Sequence, residues 1–171
     1  KPFDELDAAG MAKTATERAA ERFGAGLVDT GNYPVVLEGK QMQQILSAFI
    51  PVFFAKEAQQ GTSLLAGKEG EKIAADFLSL IDHPFYPGNP MPLPFDGEGT
   101  PTYKKAVIEK GVLQTLLYNL ESGKKAGKPS TGNGSRGASS IGTTYYNLYI
   151  EPGDKSREEL FSMAERGIFI T

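Results

Sequence analysis

Two β-rich runs, Lys104–Glu109 and Val112–Tyr118, flank a Lys110-Gly111 pair. Apolar, β-branched segments on either side of a glycine-containing dipeptide are the pattern of a tight hairpin, because that turn requires backbone angles glycine supplies without strain. The chain therefore contains an antiparallel strand pair. Helical periodicity elsewhere mixes helices with the strands, and the antiparallel hairpin argues against a regular doubly wound parallel sheet. The expected class is α+β, with a mixed, largely antiparallel sheet and flanking helices.

Around that hairpin the apolar pattern predicts further elements. Asp4–Phe23 reads as a helix, with Asp4 as N-cap, Gly24 as stop, and an alanine-rich stripe through Ala8, Met11, Ala12, Ala15, Ala19 and Phe23. Pro34–Glu38 reads as a buried strand. Gln41–Ala58 reads as a second helix whose apolar residues nearly encircle it, which implies burial on most sides or a subunit contact. Pro51 should kink or split it. A third helix is expected over Glu69–Leu78, strands over Leu78–Asp82 and Tyr145–Ile150, and a short helix over Leu120–Ala126. Lys128–Gly142, rich in Gly, Ser and Thr, reads as a loop. Asp154 should open a last helix, and Ile168–Ile170 a last strand. His83–Pro94, dense in proline, must be irregular, and the Pro/Gly tract near 84–101 is the one candidate lobe boundary.

The residues exclude several chemistries. The chain has no cysteine, so disulfides, thiolate catalysis and Cys-based zinc sites are out. It has one histidine, His83, and a lone imidazole needs other ligands to hold a metal; a satisfied or surface histidine is the plainer expectation. A net charge of -3 with interspersed signs gives no reason to expect nucleic-acid binding. No apolar run approaches the roughly 20 residues that span a bilayer. The Gly-rich stretch Thr131–Gly137 lacks the ending of a phosphate loop. Asp96 and Glu98 could form an acid/base pair, but two carboxylates in a turn more often cap backbone N–H groups.

Six segments, in order, resemble the TldD/PmbA family, once called modulators of DNA gyrase. They are Tyr33–Leu37, Gly61–Gly67, Phe95–Thr102 running on to Ala106–Leu113, Ser130–Arg136, Tyr145–Gly153, and the closing Glu159–Ile168. The family-motif positions Asp96, Glu98, Gly99, Thr131, Gly132, Asn133 and Arg136 have no role assigned by the resemblance. One departure matters. TldD-type members carry a His-Glu-x-x-x-His zinc motif on the helix before the Gly-Thr-Ser segment, and that stretch here is Leu46-Ser-Ala-Phe-Ile-Pro51. The resemblance is thus to the TldE/PmbA branch, which lacks the motif.

It implies a cytoplasmic, metal-free and cofactor-free subunit with no catalytic residues of its own. Its partners would be a TldD-like zinc metallopeptidase and an unfolded or extended peptide, taken up by main-chain pairing; a homodimer is the other assembly. Neither nucleic acid nor membrane is expected as a partner. Phe49, Phe53 and Phe54 are the expected interface residues. Opening at Lys1 and stopping on an apparent strand at Thr171, residues 1–171 read as an internal fragment of a longer protein. Two alternatives remain at this level: a structural or binding module of the same family without peptidase role, and an independent hydrolase using the Asp96/Glu98 turn.

Overall fold

The computed structural model describes residues 6–20, 22–24, 26–89 and 91–171. The chain divides into two compact units, Lys1–Pro34 and Val35–Thr171, so the tract at 84–101 lies inside the second. The first unit holds helix α1 (Ala8–Ala20). Asp7 Oδ1 accepts the Gly10 N–H at 2.8 Å, which satisfies one free donor of the first turn. Gly24 follows with φ +75°. The expected cap at Asp4 lies outside the described residues. None of the residues of α1 is buried, so its alanine stripe covers no core.

The second unit is organised by a four-stranded antiparallel sheet in the order β4 (Val112–Leu113), β3 (Lys105–Glu109), β2 (Leu80–Asp82), β7 (Leu148–Ile150). Its hairpin joins β3 (Lys105–Glu109) to β4 (Val112–Leu113). Lys110 and Gly111 take φ +46° and +81°, both left-handed, as a two-residue turn matched to strand twist requires. A Cβ on Gly111 would lie 2.4 Å from the Ala74 carbonyl oxygen, so the position has no room for a side chain.

That close approach explains a correction. Glu69–Leu78 is not a helix. Its backbone is used by the hairpin instead: Gly70 N–H donates to Leu113 O, Ile73 and Ala74 N–H to Gly111 O, and Leu113 N–H donates back to Glu71 O. These long-range bonds outweigh a modest local helix preference.

Strand β2 (Leu80–Asp82) is buried throughout and lies between β3 and β7 (Leu148–Ile150). The core gathers on this sheet: Leu80, Val107, Ile108 and Leu113, with Phe53, Ala55, Leu116 and Leu117 packed against them. The expected second helix is three pieces. α2 (Gly39–Phe49) is followed by a 3-10 turn, Ile50–Phe53, with Pro51 in its first positions, where the missing N–H costs nothing, and then by α3 (Ala55–Gln59). The break changes what is buried. α2 buries no residue, whereas Ile50, Phe53 and Ala55 are in the core. Of the three phenylalanines, Phe53 is 9% exposed, Phe54 is half-buried against the core, and Phe49 is 61% exposed.

α4 (Leu120–Ala126) has the expected bounds, with a reciprocal Asn119–Ser122 cap and left-handed Gly127 at its end. The stretch expected to be a loop contains a second hairpin, β5 (Gly134–Arg136) with β6 (Ile141–Thr143). β1 (Val35–Leu37) pairs in parallel with β8 (Ile168–Ile170). It is half-buried rather than buried, with Val35 52% exposed, because nothing but β8 flanks it among the described residues. The last helix, α5 (Arg157–Met163), starts at Ser156, not Asp154. Ser156 and Glu159 form a capping box, which Asp154 has no acidic partner at the right spacing to make. No helix among the described residues is long and apolar enough to cross a membrane.

Candidate functional site

Asp82 closes β2 with no exposed surface. Its Oδ2 receives the Lys105 ammonium at 3.2 Å and the Asn133 side-chain amide at 2.8 Å; its Oδ1 receives the Tyr146 N–H at 2.8 Å. Lys105 stands directly across the strand pair from Asp82, so sheet register makes the ion pair. Burial pushes the Lys105 ammonium below the usual lysine range, against the opposing pull of Asp82 and Asp96. Asn133, also fully buried, donates further to Thr144 O at 3.0 Å, and its Oδ1 lies 2.7 Å from the Thr131 hydroxyl.

The two sequence motifs at 95–102 and 130–136 meet around this pair. Asp96 accepts three backbone N–H groups: Glu98 at 2.9 Å, Thr100 at 2.8 Å and Gly134 at 2.7 Å. Glu98 Oε2 accepts the Leu120 N–H at 2.8 Å. Gly99 takes φ +81° in the turn. Arg136 Nε donates to Gly97 O at 3.1 Å. Gly132 has φ +71° and would place a Cβ 2.5 Å from Pro101 O, so the two loops touch backbone to backbone. The carboxylates thus tie loops together. Asp96→Asn is expected to cost about 1–3 kcal/mol, because the amide NH2 would face a backbone donor, while any activity of the assembled protein persists. Thermal melting and turnover measured together check this; a large rate loss at unchanged stability would assign Asp96 to chemistry.

Beside this network lies a cleft of about 360 Å³. One wall is the i, i+3, i+4, i+7 face Gln43, Leu46, Ser47 and Ile50, from α2 into the 3-10 turn. The other is Tyr145–Tyr149 with Tyr86, whose ring meets that of Tyr149 edge-on at 5.0 Å. Tyr145 and Tyr146 also line a second cleft, of about 390 Å³, that reaches Asp96 and Gly134. The Tyr146 hydroxyl donates to Gly132 O at 2.9 Å. Burial, reinforced by the Asp96 and Asp82 charges, pushes that phenol up to about 12, so it stays neutral at physiological pH.

β7 carries the cleft along a sheet edge. Asn147 O and Glu151 N–H bond across to His83 and Ser79 of the β2 segment. Antiparallel alternation then turns the N–H and C=O groups of Leu148 and Ile150 outward, and no strand pairs with that edge among the described residues.

Zinc does not fit the α2 wall. The stretch that the resemblance matches to the His-Glu-x-x-x-His motif carries Leu46, which packs on the core, Ser47, whose hydroxyl donates to Gln43 O at 2.7 Å, and Pro51. No cluster of three His, Asp or Glu side chains suited to a metal occurs among the described residues. His83 differs from expectation: it is half-buried and its Nδ1 has no partner among the described residues, although its backbone is held by Asn147.

A profile of the PmbA/TldA metallopeptidase C-terminal domain matches residues 30–171. The chain belongs to the PmbA/TldD family. A metalloprotease of Methanocaldococcus jannaschii is 30% identical over 94% of this chain and 36% of its own length. A putative modulator of DNA gyrase from Thermotoga maritima superposes with a TM-score of 0.90 at 37% identity, over 99% of this chain and 39% of that one. TldE from Thermococcus kodakarensis gives 0.84 at 29% identity, over 96% and 38%. The chain therefore spans little more than a third of the length of these three proteins. Within that family frame, all seven motif residues fall in one loop cluster. Asp82, Lys105 and the cleft tyrosines were missed in the sequence. The one signal for Asp82 and Lys105 was a charged residue at a buried position of each of two otherwise apolar strands.

Proposed function

We propose that this chain is part of a metal-free, non-catalytic subunit of a PmbA/TldD-type peptidase complex that works on unfolded or extended peptide in the cytoplasm. One observation carries the reading: the cleft wall on α2 presents Leu46, Ser47 and Ile50 beside a sheet edge that no strand among the described residues pairs with. That arrangement can hold an extended segment by main-chain pairing at Leu148 and Ile150. It offers no activated nucleophile, since the Ser47 hydroxyl is spent on the helix carbonyl of Gln43 and no base adjoins it among the described residues. Hydrolysis would come from a zinc-bearing partner subunit. The independent-hydrolase alternative finds little support in Asp96 and Glu98: both oxygens of Asp96 and Oε2 of Glu98 accept backbone N–H groups.

The test uses the full-length protein, purified without an affinity tag, with and without a relative that carries the His-Glu-x-x-x-His motif. The expected result is co-purification of the two, cleavage of an unfolded peptide only by the pair, loss of cleavage on chelation, and no stoichiometric zinc in this protein alone. Cleavage by this protein alone, or one tightly held zinc per chain, would overturn the proposal.

A further inference from the structure

We propose that the tyrosine-lined cleft between α2 and β7 is a subsite for a basic side chain of the bound peptide, arginine in particular. This rests on the peptide-holding role proposed above and adds a substrate class to it.

The lining comes first. Four tyrosines, Tyr86, Tyr145, Tyr146 and Tyr149, contribute to a space of about 360 Å³, and among the described residues no Lys, Arg, His, Asp or Glu side chain lines it. Tyr86 and Tyr149 meet at 60°, so ring faces and edges are offered from two directions. Ring faces carry negative potential and attract a cation, a planar guanidinium most readily because it also stacks.

The polar groups in the cleft include acceptors for such a guest. One hydrogen of the Asn147 amide NH2 is spent on His83 O, and its Oδ1 remains as acceptor. The Ser47 hydroxyl hydrogen is spent on Gln43 O, which leaves its lone pairs. A guanidinium brings five donors to such acceptors; a phenylalanine would bury them without partners. A lysine ammonium is more strongly hydrated and gives up more on entering.

Lys105 neutralises Asp82, so the buried pair adds little net field at the cleft. Discrimination between a cation and a carboxylate therefore comes from the ring faces, whose negative potential attracts the one and repels the other.

The experiment measures equilibrium binding by fluorescence anisotropy. Full-length protein, with its zinc-bearing partner made inactive at the motif glutamate, is titrated into short unstructured peptides. These differ only at one central residue: arginine, its neutral isostere citrulline, phenylalanine or glutamate. A further peptide moves the arginine to the end. The central-arginine peptide is expected to bind roughly tenfold tighter than the citrulline peptide, with glutamate weakest. Tyr86→Leu should weaken arginine binding more than citrulline binding and so shrink that difference; at 44% exposure, Tyr86 can be replaced without opening the core. Tyr149→Phe should keep the preference, since the ring remains. Equal affinities, a preference for phenylalanine, or the same gain from a terminal arginine would overturn the subsite and leave the peptide-holding role standing. Failure of every peptide to bind would overturn both.

Discussion

Replacing Asp82 with alanine is expected to destabilise the full-length protein by about 3–5 kcal/mol. Three donors converge on this one carboxylate: the Lys105 ammonium, the Asn133 amide and the Tyr146 N–H. Removing it leaves a buried cation without its partner, at a lysine side chain that is only 4% exposed, and leaves two further donors unsatisfied. Lys105→Met is expected to cost less, because Asp82 keeps two donors. The double variant Asp82→Leu, Lys105→Met should recover part of the loss, since an apolar pair of similar size removes both charges from the interior. Denaturant unfolding of the three variants checks the order. A loss below about 1 kcal/mol for Asp82→Ala would mean that water reaches the pair and that the network is not a structural support. The tyrosine cleft should respond as well, because the Tyr146 backbone is anchored on Asp82.

Why Asp82 escaped the sequence while the hairpin beside it did not is a matter of distance along the chain. The Lys110-Gly111 turn is written in adjacent residues, and so is the Asn119–Ser122 cap of α4. Local signals of that kind are complete within a few positions. The partners of Asp82 lie 23, 51 and 64 residues away, and only sheet register and loop closure bring them together. The same reason undid Glu69–Leu78, whose backbone donors and acceptors serve a hairpin some forty residues on, a fact no local periodicity encodes. The second hairpin was hidden differently. Gly134–Thr143 has too few large residues to alternate, and its glycines serve close backbone contact: a Cβ on Gly134 would lie 2.4 Å from Glu98 Oε2. The motif residues from Asp96 to Arg136 were legible as a set, but not their joint task of tying two loops over a buried ion pair. The cleft needed α2 and β7 in three dimensions, although Tyr145–Ile150 had read correctly as containing a strand.

Phe53→Ser is expected to cost about 3–5 kcal/mol, and Phe49→Ser to leave stability within about 0.5 kcal/mol. The two residues are one helical turn apart in sequence, and the break at Pro51 separates their fates. Phe53 ends the 3-10 turn at 9% exposure, inside the cluster formed by Ala55, Leu80, Val107 and Leu117. Its carbonyl also accepts the Leu117 N–H at 2.8 Å, so the site is held from both sides and cannot collapse around a lost ring. Serine adds a hydroxyl with no obvious partner there. Phe54, half-buried against the same cluster, should fall between the two. Phe49 ends α2 with 61% of its surface exposed and Ile45 one turn earlier at 44%. If the proposed complex uses α2 as its contact, Phe49→Ser weakens association while the melting temperature of the separate protein stays put. Sedimentation of the complex and thermal melting of the subunit separate the two effects. A Phe49→Ser variant that unfolds, or one that assembles as tightly as the parent, would remove α2 from the interface and leave Phe53 as an ordinary core residue.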